Sequence, residues 1–227
     1  MTATLPRLAI AALLAAVTLS ACASATGGTA TAPESDAARN AELEAIYRAR
    51  RDSARMLFTE ADVRFMQGMI GHHAQALVMA RLAPTHGASP AVQTLAARII
   101  NAQQDEIATM QRWLRDRGQP VPEIHIEGTT LMVHGTEHGA HMPGMLTEEQ
   151  LRELDRTRGP EFDRKFLTFM IQHHRGAVVM VDALFATDGA AQDEDAFRFA
   201  SDAQVDQRTE IARMELLLEE LAPPASP

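Results

Sequence analysis

The chain has 227 residues, a formal net charge of −9 and 46% hydrophobic residues, of which few are aromatic. That is enough for one domain with appendages or two small ones, and the acidic balance argues against nucleic acid or anionic lipid as a partner. A single cysteine, Cys22, excludes an intramolecular disulfide and a thiolate metal cluster.

Arg7 precedes the apolar run Leu8–Leu19, which leads into Leu19-Ser20-Ala21-Cys22. The run is short for a bilayer span and has the charged, apolar, small order of an export signal. Leu-Ser-Ala-Cys resembles the lipobox of bacterial lipoproteins, whose cysteine is lipidated; the competing reading is an ordinary signal peptide cut nearby. We therefore expect a signal peptide over 1–21, lipidation at Cys22 and a flexible tether over 22–38 rich in Ala, Ser, Thr, Gly and Pro. One folded body over 39–222 and a tail over 223–227 follow.

Within the body, Ala37–Phe58 reads as a polar helix. Thr59 caps a helix running to about Ala83, before Pro84 and Gly87. Ser89-Pro90 is a cap followed by proline at the first helical position, opening a helix to about Arg117. Residues 118–146 lack helical periodicity and read as a long crossover, with His86 and His125 as isolated surface residues in loops. Thr147 and Gln150 form a capping box for a short helix ending near Gly159. Pro160–Thr187 and about Gln192–Leu221 are the last two helices, and no stretch alternates with period two for long.

The two halves repeat. Asp62, Phe65, Met69, Ile70, His72, His73, Ala76 and Met79 recur at constant spacing as Asp163, Phe166, Met170, Ile171, His173, His174, Ala177 and Met180. Gln103, Glu106, Ile107 and Met110 recur as Gln207, Glu210, Ile211 and Met214. Two helix hairpins joined by a crossover give an all-α four-helix bundle with pseudo-twofold symmetry and short extra helices. At about 100° per residue, Met69, His72, His73, Ala76 and Met79 share the core-facing arc with Phe65.

Imidazoles inside a bundle are costly unless their nitrogens find partners, and thioether with imidazole is a ligand mix that suits Cu(I). The candidate metal ligands are Met69, His72, His73, Met79 and Met110 in the first half, with Met170, His173, His174, Met180 and Met214 in the second. Gln103, Glu106, Gln207 and Glu210 are candidates for orienting the imidazole N–H groups. The crossover adds His134, His138, His141, Met142 and Met145, with Met132 beside them, as a flexible metal-capturing loop. The competing reading is that core histidines are simply hydrogen-bonded, the methionines fill gaps and the crossover is an incidental His-rich loop.

At DVRFMQGMIGHHAQALVMA, the Gln103–Leu114 segment, MPGMLTEEQL and GPEFDRKFLTFMIQHHRGAVVMV, the chain resembles the domain-of-unknown-function-305, CopM-like family. The resemblance implies a ferritin-like bundle in the bacterial envelope and, for some members, copper binding and tolerance. Leu167 and Phe169 stand where the first motif has Met66 and Gly68, and the last helix has Leu216-Leu217 in place of Trp113-Leu114, so the second half is expected to bind differently or to support the first.

The leading expectation is a non-enzymatic, lipid-anchored envelope protein that sequesters or transfers Cu(I). Its expected partners are the metal ion, a membrane, a copper-exchange protein and a second copy of the chain. The alternatives are an interaction module with structural core histidines and, less favoured, a di-metal oxidase. The oxidase needs Glu-x-x-His pairs, but Thr109 and Arg213 follow Glu106 and Glu210.

Overall fold

The structure, a computed structural model, describes residues 36–54, 57–135 and 142–221. The chain divides into two compact units, Met1–Leu43 and Glu44–Pro227. Helix α1 (Asp36–Ala54) has exposed side chains wherever they are described. The leader, Cys22, His138 and His141 lie outside the described residues.

Each helix of the repeat starts where its sequence offers a cap. Helix α2 (Glu60–Ala80) opens on a reciprocal capping box, in which the Thr59 N–H donates to Asp62 at 2.7 Å. Helix α3 (Pro90–Asp116) follows the Ser89 cap with proline in its first turn. The expected crossover contains a two-stranded antiparallel ribbon, β1 (Glu123–Glu127) and β2 (Thr130–His134). Gly128, at φ +57°, supplies the positive φ of the two-residue turn. Helix α4 (Glu148–Arg156) has the Thr147/Gln150 capping box, and α5 (Gly159–Phe185) carries the second motif. Helix α6 (Glu194–Glu220) is capped by Asp193.

The ribbon escaped the sequence reading because each strand is only five residues long and half-buried. Ile124, Ile126, Leu131 and Val133 nevertheless alternate with exposed residues. His125 therefore sits on a strand, exposed as expected but not in a loop. His86 is a correction: it is 4% exposed, with Nε2 3.0 Å from the Asp155 carbonyl and its ring 5.2 Å from Phe162. It is buried because the α2–α3 turn folds against the α4–α5 junction, where the Gly159 N–H donates to the His86 carbonyl at 2.8 Å.

Helix α2 packs on α3, α5 packs on α6, and α2 lies against α5. The repeat produces reciprocal clasps at the turns. Asp62 accepts from the Ala191 N–H at 2.7 Å, and Asp163 accepts from the Ser89 N–H at 3.1 Å. One further clasp has no counterpart among the described residues of the second hairpin. Trp113 Nε1 and Arg117 Nε donate to Asp193 at 2.9 and 3.1 Å, with the guanidinium over the indole.

The apolar core forms two clusters. One gathers Val92, Leu95 and Ile99 of α3 with Phe162 and Phe166 of α5 and Met214 and Leu217 of α6. The other gathers Phe65 and Met66 of α2 with Ile107, Trp113 and Leu114 of α3 and Phe199 and Ala203 of α6. Along all four bundle helices, polar residues separate the two clusters.

Candidate metal centre

The separating layer consists of His72 and His73 on α2, Gln103 and Glu106 on α3, His173 and His174 on α5, and Gln207 and Glu210 on α6. Helical periodicity turns both histidines of each motif inward, and all four are at most 1% exposed. Fully buried methionines bracket the layer: Met69 and Met170 one turn before the histidines, Met110 and Met214 one turn after the glutamates. Ala76 and Ala177, also buried, keep the next turn small.

Three of the imidazoles have Nε2 against an acceptor that cannot donate. His72 Nε2 lies 2.9 Å from the Pro143 carbonyl, His173 Nε2 2.9 Å from the His72 carbonyl, and His174 Nε2 2.6 Å from Glu210 Oε2. Nε2 must therefore be the donor in each, and a neutral ring then carries its lone pair on Nδ1. His73 Nε2 lies 2.7 Å from Glu106 Oε2, close enough for an ion pair but angled too poorly for a hydrogen bond. The rings of His72 and His173 stack at 3.9 Å between centroids.

All four Nδ1 atoms are buried without a partner. Together with His73 Nε2, Gln103 Oε1 and Glu106 Oε2 they are every unpartnered buried side-chain polar atom among the described residues. A buried polar atom without a partner costs about 1–3 kcal/mol, so a layer that holds several of them favours any ligand that satisfies them. Desolvation, then the neighbouring His73, lowers the pKa of His72 to about 3. Desolvation and then His72 hold His173 well below the ordinary imidazole range. The inner pair thus stays neutral, with its Nδ1 lone pairs open to a cation at any physiological pH.

The segment after the ribbon lies directly over this layer. A Cβ on Gly68 would stand 3.2 Å from Met142 Sδ and 3.5 Å from Met180 Cε, so two thioethers converge there beside Met69. Gln75 grips the strap at Leu146, donating to its carbonyl at 3.0 Å and accepting from its N–H at 2.7 Å. Gly176 admits the Pro143–Gly144 backbone, and Gly144, at φ +76°, would meet the Gln172 carbonyl at 2.6 Å if it carried a Cβ.

On the far side, a cavity of about 430 Å³ between α3 and α6 is lined by Met66, Glu106, Met110, Trp113 and Asp206 among others. Burial, then Glu106, Glu210 and Asp202, raises the Asp206 carboxyl pKa. Glu106 and Glu210 thus connect the buried histidines to an acidic surface.

The structure brings the His-His motifs and the Gln/Glu pairs into one layer, with Met69 and Met110 in the apolar cluster on one side of it and Met170 and Met214 in the cluster on the other. Met79 packs in the same cluster as Met170 and Met214, one turn or more beyond the histidines, while Met180 is part-exposed beside Met142. Among described crossover residues, Met142 turns inward, Met145 is half-buried, and Met132 and His134 face outward on β2. Sequence reasoning missed the Pro143 carbonyl, the Gln75 clamp and Met66. The Gly-Pro pattern of MPGM and the unmatched Gln75/Gly176 positions were the available signals.

The family model DUF305, a domain of unknown function, matches residues 62–218. No curated protein matches the chain. Among solved structures, a DUF305 fragment from Deinococcus radiodurans is 31% identical, covering 72% of this chain and 98% of its own, with a TM-score of 0.59. A presumed secreted DUF305 protein from Streptomyces coelicolor is 26% identical over 71% of this chain and 93% of its own, with a TM-score of 0.60. CopM in its Cu(I)-bound form is 26% identical over 71% of this chain and 98% of its own, with a TM-score of 0.53. CopM is also solved with Cu(II) and with silver.

Proposed function

Because this chain belongs to the DUF305 family, we propose that its polar layer binds copper, chiefly as Cu(I), without catalysing a reaction. The observation that carries the proposal is the concentration of unpartnered Nδ1 lone pairs in one buried layer between methionines. Water could satisfy the nitrogens but gains little from thioethers, whereas a soft cation uses both. Among the described residues no three His, Cys, Asp or Glu side chains form a ready cage, so the sulfurs complete the coordination. Met69, Met110, Met170 and Met214 are the ligands nearest the layer in sequence, with Met142 and Met180 at its edge. Glu106 and Glu210 hold the Nε2 side of His73 and His174 and leave Nδ1 to the metal.

In this reading the protein sequesters Cu(I) or passes it to an exchange protein, contributing to metal tolerance. It works outside the cytoplasm, anchored through lipidated Cys22, as a monomer or a homodimer. Among the described residues no helix is long and apolar enough to cross a membrane.

One observation favours the alternative of an interaction module with structural histidines: His72 and His173 stack, and both already make an Nε2 hydrogen bond. Anaerobic Cu(I) titration against a competing chelator separates the two. A folded His72/His73/His173/His174→Ala variant should lose at least tenfold in affinity at the tightest site. Unchanged affinity in that variant would establish the structural role.

A further inference from the structure

We propose that the outward face of the β1–β2 ribbon is a separate soft-cation site, in which His125, Met132 and His134 take Cu(I) or its surrogate Ag(I) beside the Glu123 carboxylate. The register pairs His125 with Met132 and Glu123 with His134 directly across the two strands. Period-two alternation then puts all four side chains on one face, and all four are exposed.

The opposite face fixes this orientation. Ile126 and Leu131 pack on one apolar cluster and Ile124 on the other, while Val133 sits 3.5 Å from where a Gly71 Cβ would be. A flip would bury two imidazoles and expose four aliphatic side chains, so the ribbon presents its ligands from a rigid mount.

The spacing suits one ion. Directly opposed residues have Cβ atoms about 4.5–5.5 Å apart, and a diagonal neighbour such as His134 to His125 is about 7–8 Å away, still within reach of long side chains. Nitrogen and sulfur bonds to a metal such as zinc run about 2.0–2.3 Å, so two donor atoms on one ion stand at most roughly 4–4.6 Å apart. Side chains as long as those of His125 and Met132, directly opposed, can bring their donors that close, and His134 reaches the same point from the diagonal.

A strand face turned to water has no packing use for a methionine, and Met132 is 36% exposed. The thioether with two imidazole nitrogens selects a soft monovalent cation over hard ones, and the carboxylate offsets its charge. The buried layer is enclosed, whereas this site exchanges freely with solvent.

The site stands independently of the buried layer, and the test keeps them apart. Full-length protein is titrated anaerobically with Ag(I) and with Cu(I) against a competing chelator. The forms compared are wild type, His125→Ala/Met132→Ala/His134→Ala, and the quadruple core-histidine variant. The ribbon variant should lose one equivalent, or at least tenfold in the affinity of one class of site, while the core variant retains that class. Met132→Leu keeps the strand's apolar volume and should alone weaken the site at least threefold, which guards against misfolding of the triple variant. Imidazole NMR signals of His125 and His134 should shift on Ag(I) addition in the wild type and in the core variant. An unchanged stoichiometry and affinity in both ribbon variants overturns the proposal, as does an unmoved His125 ring.

Discussion

Three imidazoles of the buried layer, His72, His173 and His174, carry two separable jobs. Nε2 fixes the ring against a carbonyl or a carboxylate, and Nδ1 of the neutral ring is left with a lone pair and no partner. The low pKa of His72, about 3, sets a sign for acid sensitivity. An unfolded histidine protonates below about pH 6.5 while the folded His72 does not, so its stabilising contribution is complete above that pH. It is lost as pH falls from 6.5 towards 3, at up to about 1.4 kcal/mol per pH unit, and His173 acts in the same direction. Denaturant titrations between pH 7 and 4 should show this slope, and His72→Gln/His173→Gln should flatten it. An equal slope in the variant would place the acid sensitivity elsewhere. The presence and inward direction of these side chains were legible from spacing alone. The tautomers of His72 and His173 were not, because their acceptors are backbone carbonyls brought in by the fold, whereas Glu210 beside His174 was readable from the repeat.

Among the elements, the strap Met142–Leu146 depends on glycines that the repeat does not share. Gly176 meets the Pro143 carbonyl so closely that a Cβ would collide with backbone, while Gly71 would place its Cβ in ordinary contact with Val133. Gly176→Ala should therefore destabilise the protein by about 1–3 kcal/mol as the strap lifts. Gly71→Ala should be neutral or gain up to about 1 kcal/mol from helix propensity. Thermal or denaturant unfolding of the two variants measures the contrast, and equal losses would mean the strap is not seated on α5. Gln75→Ala removes both hydrogen bonds to Leu146 and should cost about 1–3 kcal/mol, seen as faster amide exchange at Leu146. Helices α2, α3 and α4 were readable in the sequence because Thr59, Ser89 and Thr147 each announce a start. The ribbon was not, since five-residue strands give too short an alternation to compete with the loop signals around them. His86 was misplaced for a related reason: its burial comes from the α4–α5 junction, far away in sequence.

Across the whole bundle, the pseudo-twofold repeat closes both ends with matching aspartates, yet the end near Trp113 carries an additional lock. Arg117 and Asp193 form an ion pair whose side chains are 2% and 1% exposed, and Asp193 also caps α6. Asp193→Ala strands a buried guanidinium and should cost about 3–5 kcal/mol, with a red shift of the single tryptophan's emission. A loss below about 1 kcal/mol would show that Arg117 finds another anion, and Asp195, whose carboxylate lies 3.3 Å away, is the first to examine. The repeat itself was visible as matched residues, and it correctly implied two helix hairpins packed into one bundle. The asymmetry was visible only as the absent Trp-Leu pair, and its meaning needed Asp193 in place.

The central claim is that Nδ1 of the layer histidines is the metal-binding nitrogen. Two-bond proton–nitrogen NMR on protein labelled at its imidazoles tests it directly as one equivalent of Ag(I) is added after the ribbon site is removed. The predicted result is an upfield shift of Nδ1 for His72 or His173 and for His174, with the Nε2–H of each of these three rings retained. Unchanged Nδ1 signals, or a cation held through Nε2 with loss of its proton, would contradict it.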